Sequence, residues 1–279
     1  MIAPKKILWN GLSSIEMGCR TELAFDADDG ATESYLNRES VSSDNHDGSL
    51  RKVHMYRYSD VLSSQITFIK EDCTDFSRDE NRKMLSWLTS KKTSGILSIF
   101  YENGDYAEYE LIGNFVEVEQ QKMANGRVVG YVCTFECVSP YAYSLVHTLS
   151  YDINNSSSFV IKSHSDELES YIHPKITIKT TSATDVVITN SSITTTVETS
   201  EGAQQVPVET VIKNNLAEET IVIDGTNRIV YSDRPNRVFG NDFSWTSWMP
   251  LAVGANEITV TGSCTIVFEW REPRKVGSL

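Results

Sequence analysis

The chain has 279 residues, of which 40% are hydrophobic and 23% charged, and its formal net charge is -13. That length exceeds what one hydrophobic core usually serves and predicts two domains of about 130 to 150 residues, while the composition is ordinary for a soluble protein that buries real cores. The acidic balance, with no basic stripe, excludes a duplex-binding surface, because affinity for nucleic acid comes mainly from Lys and Arg neutralising phosphates. The longest apolar run falls short of the roughly 20 residues that a bilayer span needs.

Lys5 and Lys6 precede Ile7, Leu8 and Trp9, but Asn10 and Gly11 end this apolar run below the usual signal-peptide core of about 7 to 15 residues, so synthesis and folding in a cytoplasm are expected. Asp26, Asp28 and Asp29 before Gly30 resemble a calcium loop only briefly. An EF-hand wants Gly sixth and Glu twelfth, whereas Gly30 is fifth and Asn37 twelfth, which leaves an acidic exposed loop. Ser77 with Glu80 three residues on forms a capping box that starts a helix. The apolar face of that helix is Met84, Leu85 and Leu88 with Trp87 close by, and Gly95 follows as a stop signal. Two hairpins are predicted next. Ile96 to Tyr101 turns at Asn103-Gly104 into Tyr106 to Ile112, and Phe115 to Lys122 turns at Asn125-Gly126 into Arg127 to Cys137.

The pattern changes between Tyr143 and Ile153. After it come short Thr-, Val- and Ile-rich runs at Lys175 to Thr181, Asp185 to Thr189, Thr220 to Asp224, Arg228 to Tyr231, Ile258 to Thr261 and Thr265 to Trp270. Short strands separated by polar turns predict a β-sandwich. His173-Pro174 fits a strand entrance, and Ile221 to Gly225 a strand feeding a turn. Ser191 to Ser200 is either a linker or a threonine-rich edge strand, with alternating Thr favouring the strand. The fold class is therefore mainly β with one helix.

Five cysteines, Cys19, Cys73, Cys133, Cys137 and Cys264, are an odd number, and free thiols are the default. Cys133 and Cys137 stand roughly 13 Å apart on one strand, too far for a disulfide or a shared zinc, and belong with Val129, Tyr131 and Phe135 on a core-facing side.

The helix, the hairpins and the exit Ser139-Pro140-Tyr141-Ala142-Tyr143 follow one another in an order that resembles the N-terminal domain of the distal tail proteins (Dit) of long-tailed siphophages. Two further regions extend the resemblance over nearly the whole chain. Leu8-Trp9-Asn10-Gly11-Leu12-Ser13-Ser14 with Met17-Gly18 looks like the family's opening strand and turn. Met249-Pro250-Leu251 with Gly254-Ala255-Asn256-Glu257-Ile258 looks like the turn before its last strands. Asp44-Asn45-His46-Asp47-Gly48 keeps only the Asp-Gly of a Pro-Gly-Arg-Asp-Gly loop that many members have.

The resemblance implies an N-terminal ring-forming domain, residues 1–145, and a galectin-like or carbohydrate-module-like β-sandwich, residues 146–279. It implies a homo-hexameric ring at the distal end of the tail in the virion. That ring would join the tail tube protein to the tail-associated hub or fibre protein, surround the end of the tape measure and present its outer domain to receptor-binding proteins. DNA would pass through without specific binding, and acidic walls would repel its phosphates.

No catalytic, cofactor-binding or metal-binding residue is singled out. Ser163-His164-Ser165-Asp166 has the letters of a hydrolase triad, but sequence neighbours cannot adopt its geometry, so a solvated turn is expected. The histidines show no ligand spacing and no phosphate loop with its Lys exists. The sequons at Asn154 and Asn190 carry no meaning in a chain that is not secreted. The aromatic group Phe239, Phe243, Trp245 and Trp248 supports the alternative function, a glycan-binding adhesin, yet strand alternation would put Phe243 and Trp245 together on a core side.

Overall fold

The computed structural model describes residues 4–24, 38–43, 52–58, 60–100, 107, 109–199 and 202–275. The chain divides into two compact units, Met1–Leu145 with Arg274–Leu279, and Val146–Pro273. The acidic stretch at Asp26 to Gly30, the Asp44 to Gly48 loop and the Asn103-Gly104 turn lie outside the described residues.

In the first unit, β1 (Lys6–Trp9) turns into β2 (Leu12–Ser13) through Asn10 and Gly11, whose φ values of 52° and 78° are those of a tight hairpin turn. β3 (Cys19–Ala24), β4 (Arg38–Ser43), β5 (Lys52–Tyr58) and β6 (Ser63–Lys70) follow, then helix α1 (Arg78–Thr89), β7 (Gly95–Phe100), β8 (Glu110–Lys122), β9 (Val128–Cys137) and β10 (Ala142–Tyr143). The main path of the sheet is β2-β1-β7-β8-β9-β6-β3, and β4 with β5 forms a separate hairpin.

The capping box is present: the Ser77 amide donates to Glu80 Oε2 at 2.7 Å and the Glu80 amide to Ser77 Oγ at 3.3 Å. These bonds, with the Lys70 ammonium at 3.1 Å, hold the Glu80 carboxyl below its ordinary pKa. Ser77→Ala should destabilise the unit by about 1 kcal/mol; an unmoved denaturant midpoint would show that the box contributes nothing. Met84, Trp87 and Leu88 are the buried face of α1. Trp87 meets Phe68 edge-on at 5.4 Å and donates its indole N–H to the Trp9 carbonyl at 2.9 Å, which ties the helix to β1.

The structure keeps the pairing of both predicted hairpins and removes the break between them. β8 runs unbroken from Glu110 through Gly113 and Asn114 to Lys122, so β7, β8 and β9 form one meander with a bulge between Phe115 and Glu117. Gly113 is there for proximity: a Cβ would lie 2.0 Å from the Glu136 carbonyl oxygen. Gly95 opens β7, and a Cβ on it would meet the Trp9 ring at 2.7 Å, so it is a packing glycine; the helix is capped at Ser90. On β9, Tyr131, Cys133, Phe135 and Cys137 are buried on one face as expected, with Val129 only partly buried.

The second unit contains β11 (His147–Ser163), β12 (Lys175–Thr180), β13 (Val186–Thr199), β14 (Gly202–Ile212), β15 (Thr220–Asp224), β16 (Ile229–Ser232) and β17 (Gly254–Trp270), and the two-residue β18 (Pro273–Arg274) follows. One edge of β17 pairs along its whole length with β11, while the other pairs with β13 over 258–261 and β12 over 264–269. Two wings, β13-β14 and β12-β15-β16, thus meet at Gly262 and bury their inner faces in one core with Ile188, Ile212, Ile221, Ile258, Ile266 and Phe268. Gly262 has φ +130° and would clash with the Asp185 carbonyl through a Cβ at 2.9 Å, so the junction requires glycine.

The two predicted runs at 258–261 and 265–270 are therefore one strand, and Ser191 to Thr199 belongs to β13 with a register shift between Asn190 and Thr194. β11 and the edge strand β14 go unseen in the sequence, since their Ser-, Asn- and Gln-rich stretches become strands through pairing with β17 and β13.

Candidate functional site

No sequence-predicted residue forms a catalytic arrangement among the described residues, and no group of His, Cys, Asp and Glu there could hold a metal. Ser163-His164-Ser165-Asp166 is not the solvated turn expected: Ser163 and Ser165 are buried, and the His164 amide donates at 2.9 Å to the fully buried Glu272 carboxylate. Glu272 also accepts from the Trp270 indole at 3.3 Å, so it organises the end of β17. Asn190 is fully buried, which closes that sequon to modification.

All five cysteines are free, and burial pushes the thiols of Cys19, Cys133 and Cys137 up to about 12 and that of Cys264 to about 11, while Cys73 is exposed. Iodoacetamide should therefore label Cys73 alone in the native protein and all five after unfolding without reductant. A disulfide found by mass spectrometry would contradict this.

The aromatic segment is corrected. It is irregular chain around a short 3-10 turn (Gly240–Asp242), so strand alternation does not apply to it. Phe239, Phe243 and Trp248 are buried in the core, whereas Trp245 is 50% exposed, with its indole N–H on the Gly240 carbonyl at 2.6 Å. Beside Trp248 opens a groove of about 960 Å³ whose lining includes Tyr171, His173, Arg228, Thr195, Glu209 and Ser247. Arg228, at a left-handed φ of 58°, lies over the Trp248 ring at 5.6 Å and donates to His173 Nε2 at 3.1 Å. His173 Nδ1 donates to the Trp248 carbonyl at 3.4 Å, which fixes the neutral tautomer.

Burial, then the Arg228 charge, holds His173 below its ordinary value, against the bond to Trp248. The unfolded chain takes the proton more readily, so stability present above about pH 6.5 declines as pH falls toward the folded value. His173→Gln should flatten this part of a melting-temperature profile; an unchanged slope would remove His173 as its cause.

Two further surfaces are exposed in the first unit. The β4-β5 hairpin exposes Val41, Val53, Met55 and Tyr56, more apolar surface than a two-stranded ribbon leaves in water without consequence. β7 and β9 are paired on both edges, but beyond Asn114 the side of β8 away from β9 meets no other described strand and Val116 is exposed there.

Two family models divide the chain between them: one described as a phage tail protein N-terminal domain matches residues 5–139, and one described as a phage tail C-terminal domain matches residues 141–270. The chain belongs to the phage tail proteins. Among solved structures, this tail protein resembles the Dit protein of phage SPP1, described as a paradigm of the hub adsorption apparatus in Gram-positive infecting phages. The TM-score is 0.62 and the identity 12%, over 95% of this chain and 98% of that one. A second likeness is to a chain of the phage P2 baseplate in its activated conformation, with a TM-score of 0.54 and 10% identity over 99% of each chain. At these identities the likeness shows the fold, and the tail protein has a Dit-like fold from end to end. No curated protein sequence matches it significantly.

Proposed function

We propose that this tail protein is a structural hub: a homo-hexameric ring at the distal end of a siphophage tail, which joins the tail tube to the tail-tip and host-recognition proteins. The observation that carries this reading is full-length agreement in fold with the SPP1 hub protein, over both units and with no large segment left over on either side. Residues 1–145 form the ring, and the sandwich of residues 146–279 is the outer domain. The free side of β8 and the apolar β4-β5 hairpin supply the surfaces that a neighbouring subunit covers, and a closed ring consumes such edges without growing into a fibre.

The work done is recognition by symmetric interfaces, without catalysis. The tube protein, the hub or fibre protein, the end of the tape measure and the receptor-binding proteins are the partners, and DNA traverses the acidic ring unbound. The protein is synthesised in the host bacterial cytoplasm.

Gold-labelled antibodies against the chain, applied to virions of the phage that encodes it, test the placement. Label confined to the distal tip of the tail is expected; label along the tail shaft, at the head, or nowhere on the particle contradicts it.

A further inference from the structure

The groove beside Arg228 combines a lone cation with an open sheet edge. In β14, Pro207 sits opposite Thr194 and has no amide to give to β13, so its backbone faces outward; Val211 also faces outward, since its amide donates to Ser244 Oγ at 2.8 Å and its carbonyl accepts from the Ser244 amide at 3.1 Å. Odd-numbered residues therefore point their backbone groups away from β13. At Val211 and Lys213 these groups are met by Ser244 and Asp242, on either side of a single bridge between Ile212 and Phe243. Thr246 to Trp248 and Val206 to Glu209 of β14 line the groove together. From Gln205 to Glu209 the edge has no described partner strand, and two amides and three carbonyls face outward, Pro207 offering only its carbonyl.

Arg228 supplies the second observation. Its neighbours are a neutral imidazole and an indole face, and no carboxylate among the described residues pairs with it. A guanidinium so held has donors free for an oxyanion, and carboxylates fit its fork. Sugar stacking is disfavoured here, because Arg228 covers the Trp248 ring and Trp248 is 6% exposed.

We propose that this groove binds an extended acidic peptide segment of a partner protein, which pairs with the Gln205–Glu209 edge of β14 and places a carboxylate on Arg228. Strand addition supplies affinity through the main chain, and the Arg228 contact supplies the preference for an acidic residue at one position. Pro207 sets the register, because a guest can donate to its carbonyl but finds no amide there.

The test uses the full-length protein and a labelled short peptide of alternating threonine and glutamate, read by fluorescence anisotropy. Saturable binding is expected, weakened tenfold or more by Arg228→Asn, a residue that tolerates the left-handed backbone, and less by Arg228→Lys. N-methylation of alternate peptide amides should abolish binding to the unaltered protein, a readout that no folding defect can mimic. Absence of binding overturns the proposal, as does binding indifferent to N-methylation or to replacing glutamate by lysine. Arg228-dependent binding of polygalacturonate without peptide binding would assign the groove to a saccharide, and a dimer dissolved by Arg228→Asn would assign it to a second copy; either result overturns the peptide. A chain that never forms rings would still bind, so the failure of this site and of the hub reading are separable.

Discussion

Arg237→Met should destabilise the second unit by about 3 to 5 kcal/mol. The Arg237 side chain is 5% exposed and its Nε stands 3.5 Å from Glu219 Oε1, whose side chain is 1% exposed. Its other nitrogens donate to the carbonyls of Lys213 and Asn214, at 2.5 Å and 3.1 Å, and to Asp242 at 3.2 Å, while the guanidinium lies over Phe239 at 4.9 Å. Glu219 in turn accepts from the Leu216 amide and the Ser232 hydroxyl. Removing the arginine leaves a buried carboxylate whose remaining cation is Arg234 at 3.9 Å, while the exposed carbonyls of Lys213 and Asn214 turn to water. Hydrogen exchange at Ile221 and Ile223 reads the loss directly, and Arg237→Met combined with Glu219→Gln should recover part of it. A single variant as stable as the parent would mean that the pair is not buried as described.

Asn256→Leu should cost at least about 3 kcal/mol, because it strands several buried polar groups at about 1 to 3 kcal/mol each. Asn256 is fully buried. Its Oδ1 accepts from the Ala252 amide at 2.8 Å and from Asn190 Nδ2 at 3.0 Å, and its Nδ2 donates to the Ala252 carbonyl at 2.8 Å and the Ile161 carbonyl at 3.3 Å. One side chain thereby ties the turn before β17 to β11 and β13. Urea unfolding measures the effect; a midpoint shift worth less than about 1 kcal/mol would show that water replaces these bonds.

What could be read in advance depended on how local its cause was. Ser77 and Glu80 satisfy each other's amides within one helical turn, so the start of α1 is written in four residues. Asn10-Gly11 forces its own turn, and alternation alone puts Tyr131, Cys133, Phe135 and Cys137 on one face of β9. Gly113-Asn114 reads as a break because glycine and asparagine usually end strands, yet here the glycine exists to let β8 approach the Glu136 carbonyl, a fact about another strand. β11 is a strand because seventeen residues of β17 lie beside it, and nothing in its Asn-Ser-Ser-Ser centre announces that. Trp245 is assigned to the core by an alternation rule that holds only if the segment is a strand. The Arg237-Glu219 pair and the Arg228 groove assemble side chains from separate loops, and no spacing links them. Asn256 lies between these cases: its motif is visible, but its purpose is legible only once Asn190, Ala252 and Ile161 surround it.

The central claim, that this tail protein closes into a ring, is tested most directly by native mass spectrometry of the full-length chain, with negative-stain images of the same sample. The account predicts a species of six 31.3 kDa subunits that images as a ring with a central opening. Monomers at every concentration up to those used for imaging, or open fibres in place of closed rings, would contradict it.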